Sequence, residues 1–450
     1  LNGGKELDAR ELVSAVVAEA EKRGAEMVEA YYQRSEDLTI EVRNGEVETL
    51  KIAGEEGLGI RVIKGKSLGF AYTSDLSWSS VKETIDAALA NLQVASEDSF
   101  NILPEAPSSY PELDLLDPAL REVPLEEKIE KARAIERAGR SFDPRVRLTD
   151  RVSYEDSWYQ VAIGNSRGIL ASHQGAFCGG SAVLVAESEG EQQTGFSFQL
   201  TRRYHDFDPE EIGQEAALKA VRMLGARPRE TMKVPIVFDP YVVTNFLGLL
   251  ATALTAEAVQ KGRSLFAGRV GEKVAASGIT IIDDSLLDGG ILSAPFDGEG
   301  VPGQRKLLIK DGYLRGFLHN AYTAAKDGVA STGNALRASY KVPPEVGSSN
   351  FFLAPGKMKN EEIIRNTERG LYLTEVMGMH TANPISGDFS VGAAGIWIEG
   401  GELTKPVRGM VIAGNIIRLL EMVDAVGSEV RFFGGRGAPV IRVHGLTLSG

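Results

Sequence analysis

The placement of glycine constrains this chain more than any other feature. There are 50 glycines among 450 residues, and several of them close tight turns between apolar-alternating runs. Asn44-Gly45 is the clearest case. Both residue types tolerate the positive φ that a two-residue hairpin loop demands. Lys64-Gly65, Asp311-Gly312 and Gly400-Gly401 repeat the signal. These units resemble one another only as hairpins and do not make an internal repeat. A chain punctuated in this way builds antiparallel sheet.

The helical segments are separately legible. Asp8 to Arg23 carries Leu12, Val16 and Ala20 on one face, with Asp8 as cap and Leu7 as a hydrophobic staple. Met27 to Gln33, Leu38 to Val42, Leu58 to Ile63 and Ser67 to Tyr72 read as strands. Ser77 caps a second helix that runs to Leu92. Ala95 to Pro124 holds Pro104, Pro107, Pro111, Pro118 and Pro124, which predicts a long crossing loop. A helix over Leu125 to Ser141, a strand-rich stretch over Val146 to Gln199 and a helix over Pro209 to Leu224 follow. Ala226 to Lys233 is the best join, so the expected domains are residues 1–228 and 229–450. After a strand at Pro235 to Phe238, Asp239-Pro240 opens a helix running to about Lys261, and β structure dominates from Ile279. The fold class is α+β: an N-terminal domain of helices and hairpins, then a mostly antiparallel β C-terminal domain with one main helix.

Composition narrows the function classes. The formal charge of -13 repels phosphate backbones, which argues against nucleic acid as a direct partner. Arg202-Arg203 and the pair Arg227 and Arg229 read as solvated loop charge. The single cysteine, Cys178, permits no intrachain disulfide. No apolar run reaches about 18 residues, so no spanning helix is expected. Leu1 to Arg10 lacks the basic and apolar regions of a secretory leader, and the expected location is the cytoplasm, with no membrane partner.

The search for chemistry is mostly negative. The histidines His173, His205, His319, His380 and His444 form no metal motif. A catalytic zinc takes about three protein ligands, and only convergence of distant residues such as His319 and His380 would supply them. No cofactor is expected. Cys178 lies five residues from His173 and faces the other way on a strand, which favours an inert thiol. No GxSxG elbow, Walker A loop or strand-linked GxGxxG is present, and Gly434 to Gly437 reads as a turn. Asp283, Asp284, Asp297 and Glu299 could make a hard-cation site, but solvated acids at a strand end are the favoured reading. One segment stands out by composition: Gly378 to Asn415 sets His380, Asn383, Ser386, Asp388 and Ser390 among glycines. Small and polar residues in a bend let a peptide backbone approach, so these five and His319 are the candidate peptide contacts. An irregular β connection is the equal alternative.

Several blocks carry a resemblance. Val42-Arg43-Asn44-Gly45-Glu46-Val47-Glu48, Gly57 to Val62, Ser293 to Val301, Leu308 to Gly316, Ser331 to Asn334, Gly387 to Ser390 and Ile412 to Asn415 stand in one order. Together they resemble the TldD/PmbA family, which also carries the label modulator of DNA gyrase. Its TldD-type subunit bears HExxxH on a helix soon after the domain join and a Cys ligand near the C-terminus. The matching helix here, about Val242 to Lys261, has no His, and Gly434 to Pro439 has no Cys. The resemblance therefore implies a PmbA/TldE-type subunit without metal. It would be the non-catalytic partner of a TldD-type HExxxH subunit in a heterodimeric metallopeptidase that degrades or matures unfolded peptides. An extended peptide would lie along one of its edge strands. The alternatives are a homodimeric peptide-binding module without catalysis, and a peptidase with a site built from His319, His380, Asp388 or Cys178.

Overall fold

The computed structural model describes residues 8–450, so the staple at Leu7 lies outside the described residues. Helix α1 (Ala9–Lys22) begins where the Asp8 carboxylate accepts from the Arg10 N–H. Its buried face includes Leu12, Val13, Val16 and Ala20. Strands β1 (Met27–Arg43), β2 (Glu46–Lys64) and β3 (Ser67–Thr73) follow, then α2 (Trp78–Asn91), capped by Ser77. The prolines after α2 leave a long irregular connection, broken only by the short α3 (Pro118–Glu122). Helix α4 (Leu125–Phe142), strands β4 (Val146–Asn165), β5 (Leu170–Ser188) and β6 (Glu191–Thr201), and helix α5 (Pro209–Arg222) complete this half.

The six strands form one antiparallel sheet in the order β3-β2-β1-β4-β5-β6. Asn44 (φ 54°) and Gly45 (φ 78°) make the β1–β2 turn. Both of their N–H groups donate to the Glu136 carboxylate of α4, at 2.8 and 2.7 Å. Strand β1 is one continuous strand rather than the two expected. Its polar middle, Arg34 to Asp37, is paired with β2 on one side and β4 on the other. Beyond Gly57, toward the turn, β2 has no strand partner on its outer edge among the described residues, because β3 pairs only Leu58 to Lys64.

Past Arg227 the chain builds two large sheets around helix α6 (Pro240–Ala253), besides a two-stranded ribbon of Ala335–Leu336 and Glu345–Val346. One has eight strands. Its central members are Ile236–Phe238, Arg369–Met377, Asp388–Glu399 and Glu402–Asn415. The other has six, including Ile281–Asp284, Asn350–Leu353 and Arg436–Ala438. Antiparallel pairing dominates, with parallel exceptions where Phe351 meets Arg436 and Leu371 meets Ile236. Val242, Phe246, Leu247 and Leu250 of α6 share one apolar core with Trp397, Leu371, Ile281 and Phe351, drawn from both sheets. Burying each such side chain stabilises the fold by about 1.5–3 kcal/mol. The helix expected to reach Lys261 breaks at Leu254 and restarts as Ala256–Gln260, capped by Thr255. The whole is α+β, and among the described residues no helix is long and apolar enough to cross a membrane.

The seam between the halves overturns two sequence expectations. Arg202 is not solvated: it is only 2% exposed. Its guanidinium donates to the carbonyls of Leu115, Ala176, Gly290, Ile291 and Ser293 and to Tyr159 Oη. Arg229 is half-buried, 4.1 Å over the Trp397 ring, while Arg227 is exposed as expected. The four acids are not freely solvated either: Asp283, Asp284 and Glu299 are buried, Asp297 is half-buried, and Asp284 lies 3.5 Å from Arg305. Asp283 holds Lys306 at 2.9 Å, and Glu299 holds Arg61 at 2.9 Å. Asp297 accepts the N–H groups of Glu299, Val301 and Ala335. Each acid found a separate partner, so they do not converge on a cation.

Candidate functional site

The segment singled out by composition folds into a self-bonded loop. Gly378 (φ 85°) ends the strand Arg369–Met377, and a single 3-10 turn, Met379–Thr381, follows. Asn383 Oδ1 accepts from the N–H groups of Ile385 and Ser386, at 2.8 and 3.2 Å. The Ser386 hydroxyl donates to Asp388 Oδ2 at 2.8 Å. Asn415 Nδ2, arriving from the neighbouring strand, donates to Asp388 Oδ1 at 2.9 Å and to the Ser386 carbonyl at 2.8 Å. Donation from Asn415 and then Ser386 holds the Asp388 carboxyl below its ordinary value. Gly387 is required here: its φ is 80°, and a Cβ would lie 2.8 Å from Ile416 Cγ2.

This loop borders a groove of about 530 Å³, lined by Leu265, Arg269, Ile385, Ser386, Asn415 and Arg418 among others. Ser386 therefore faces the groove, while Asn383 and Asp388 shape the loop behind it. His380 and Ser390 are exposed and do not line it. His319 is elsewhere. It is buried beside the helix Ala321–Asp327, with its backbone N–H on Thr332 Oγ1 at 2.7 Å. Among the described residues its Nδ1 is buried without a partner, and burial lowers its pKa. The structure thus brings Asn383, Ser386 and Asp388 together, adds Asn415, and leaves His319 apart.

Cys178 is buried among apolar neighbours in the sheet core. Burial first, and the nearby carboxylates of Asp156 and Asp117 second, push its thiol up to about 12. A thiol so placed is a poor nucleophile, since the thiolate is the reactive form.

The segments that the resemblance marks for metal ligands do meet. Arg436, from the C-terminal Gly-rich stretch, lays its guanidinium over Gly248 of α6. A Cβ at Gly248 would lie 2.8 Å from Arg436 Nη1. The Arg436 side chain makes no hydrogen bond or ion pair among the described residues. A cationic guanidinium repels a metal cation and donates no lone pair. Among the described residues, no three His, Cys, Asp or Glu side chains are grouped to hold a metal ion. The residues present do not fit a metallopeptidase centre.

Comparison with known proteins places this architecture. Three family models match consecutive stretches: PmbA/TldA metallopeptidase domain 1 over residues 28–92, the central domain over 118–224 and the C-terminal domain over 231–450. Metalloprotease PmbA of Escherichia coli O157:H7 is 30% identical over 418 residues, covering 92% of this chain and 89% of its own. A Haemophilus influenzae TldD homologue is 26% identical over 425 residues, covering 90% and 86%. The crystal structure of TldE from Thermococcus kodakarensis superposes with a TM-score of 0.91 at 27% identity, covering 98% of this chain and all of that one (100%). The family models span nearly the whole chain, and relatives of the same architecture run its length. The chain belongs to the PmbA/TldD family of metallopeptidase-like proteins.

Proposed function

We propose that this chain is the non-catalytic, PmbA/TldE-like subunit of a two-component peptidase whose metal centre lies in a TldD-type HExxxH partner. The observation that carries the reading is Arg436 on Gly248. The helix and the C-terminal stretch that would supply metal ligands are in contact, but they present a guanidinium and a glycine. Substrates are extended, unfolded peptides, and the setting is cytoplasmic. A subunit of this kind helps by enclosing the partner's site and by offering main-chain hydrogen bonds to an extended chain. The outer edge of β2 from Glu46 to Glu56 and the groove at Ser386 are the surfaces suited to that task. The reading also divides the chain at 228/229. In support, every strand of the first sheet precedes Arg202 and every strand of the other sheets follows Thr231.

The test is metal analysis of the purified chain, with peptide hydrolysis assayed alone and after mixing with a TldD-type partner. The expected result is no stoichiometric metal, no hydrolysis alone and hydrolysis on mixing. Stoichiometric zinc with activity in the isolated chain would overturn the proposal. Peptide binding without cleavage in both arms would favour the homodimeric binding module instead.

A further inference from the structure

We propose that the cavity beside Arg61, at the seam between the halves, is a binding site for a small zwitterion, an apolar α-amino acid. The cavity measures about 160 Å³ and is walled by residues of both halves. Junctions of this kind are where small-molecule sites tend to form. The inference uses no partner subunit and stands independently of the peptidase reading.

Arg61 is only 5% exposed, yet its guanidinium is half used. Nη2 donates to Glu29 at 2.7 Å and to Glu299 at 2.9 Å. Among the described residues, Nε is buried with no partner and Nη1 makes no hydrogen bond. A buried donor left unmade costs its full desolvation, so orphaned groups of this kind call for an acceptor. Asn320 is also buried. Its Oδ1 accepts from Thr323 N and Oγ1 at 2.9 and 3.0 Å, and its Nδ2 makes no hydrogen bond among the described residues. The same cavity is bordered by two acids: Glu257, held by Lys261 at 2.6 Å, and Glu345, an exposed carboxylate whose side chain makes no hydrogen bond or ion pair among the described residues. Leu68, Ile102 and Val346 supply its apolar wall.

Charge decides the ligand class. Arg61 and Arg337 are matched by Glu29 and Glu299, so this cluster is neutral as a set. What remains is a group of oriented donors and one free carboxylate. A lone anion would satisfy the donors but meet Glu345, and a lone cation would satisfy Glu345 but leave the donors of Arg61 and Asn320 unmade. A ligand carrying both an acceptor carboxylate and an ammonium satisfies both ends. The volume admits something about the size of a single amino acid, and the three aliphatic walls select an apolar side chain.

The test is calorimetric titration of the full chain with L-leucine, leucinamide and 4-methylpentanoate. The two analogues each lack one charge of leucine. Leucine is expected to bind one site per chain, and each analogue about tenfold or more weaker, the cost of one lost charge-assisted contact. Two variants accompany it. Glu345→Gln is an exposed change that leaves folding intact, and it is expected to weaken leucine about tenfold. Ile102→Trp fills the cavity and is expected to abolish binding. If Ile102→Trp fails to fold, Glu345→Gln decides alone. No saturable leucine binding, an analogue that binds as tightly as leucine, or a folded variant that binds like the parent would each overturn the proposal.

Discussion

His173 sits where the two halves touch, and its protonation state bears on that contact. Its ring is 5.9 Å from Tyr159 in the N-terminal sheet and 5.0 Å from Phe296 in the C-terminal half. Burial, with the Arg202 charge adding to it, pushes the imidazole down to about 4. The neutral ring is therefore the native form. The folded pKa lies below the unfolded value of 6.5, so the stabilisation is full above pH 6.5 and fades as pH falls toward 4. Its size is at most about 3 kcal/mol. Urea unfolding at pH 7 and at about pH 5 should show a loss in the parent chain that His173→Phe, which keeps a ring but cannot ionise, largely lacks. Equal losses in both chains would refute this. Glu215 stays out of that window. Burial opposes its ionisation, but Arg431, Lys219 and Ser197 bring it to about 2, so its contribution is lost only in stronger acid. None of this was visible in the sequence. Arg202 and Glu299 read as solvated because their partners are remote: Glu299 meets Arg61 across 238 positions, and Arg202 meets Gly290 across 88. Asn383, Ser386 and Asp388 stand out by composition and bond one another locally, whereas Asn415, which joins them from 27 positions beyond Asp388, does not.

At the scale of elements, α4 and α5 cross at a pair of glycines. A Cβ on Gly213 would run into the Ile135 carbonyl and lie 2.8 Å from Gly139 N. One on Gly139 would meet Leu184 and lie 2.9 Å from the Gly213 carbonyl. Backbone atoms cannot rotate aside, so the helices must part. Gly213→Ala gains about 1 kcal/mol of helix propensity but incurs an overpacking cost of about 1–3 kcal/mol. The net expectation is a lower urea midpoint at unchanged slope, and a midpoint equal to or above the parent's would show that the crossing is slack. This explains which elements could be read in advance. Helices capped by Asp8 and Ser77 and the turn at Asn44-Gly45 declare themselves through neighbours in sequence. The continuity of β1 through Arg34 to Asp37 does not, because it depends on β4 arriving more than a hundred residues later. The second six-stranded sheet was missed for the same reason: its strands are short, and Phe351 pairs with the distant Arg436.

At the scale of the whole molecule, the seam is expected to couple the two halves into one thermodynamic unit. Arg61 and Glu29 come from the first half, and Glu299 and Arg337 from the second. Arg202 spends three of its hydrogen bonds on carbonyls of the loop Gly290 to Ser293. Arg431 crosses in the opposite direction to Glu215, at 2.7 and 2.5 Å. Removing one member of a buried pair leaves an uncompensated charge and costs about 3–5 kcal/mol. Neither half can unfold without stripping several such partners from the other. The chain holds three tryptophans, and Trp158 and Trp397 are buried in different halves. Chains that retain only Trp158 or only Trp397, the others changed to Phe, should therefore report coincident urea transitions. Adding Glu299→Gln to each should shift both midpoints down together, by about 3 kcal/mol of stability or more, although Glu299 belongs to one half only. Transitions that separate, or a shift confined to Trp397, would show that the seam is a contact between independently stable units.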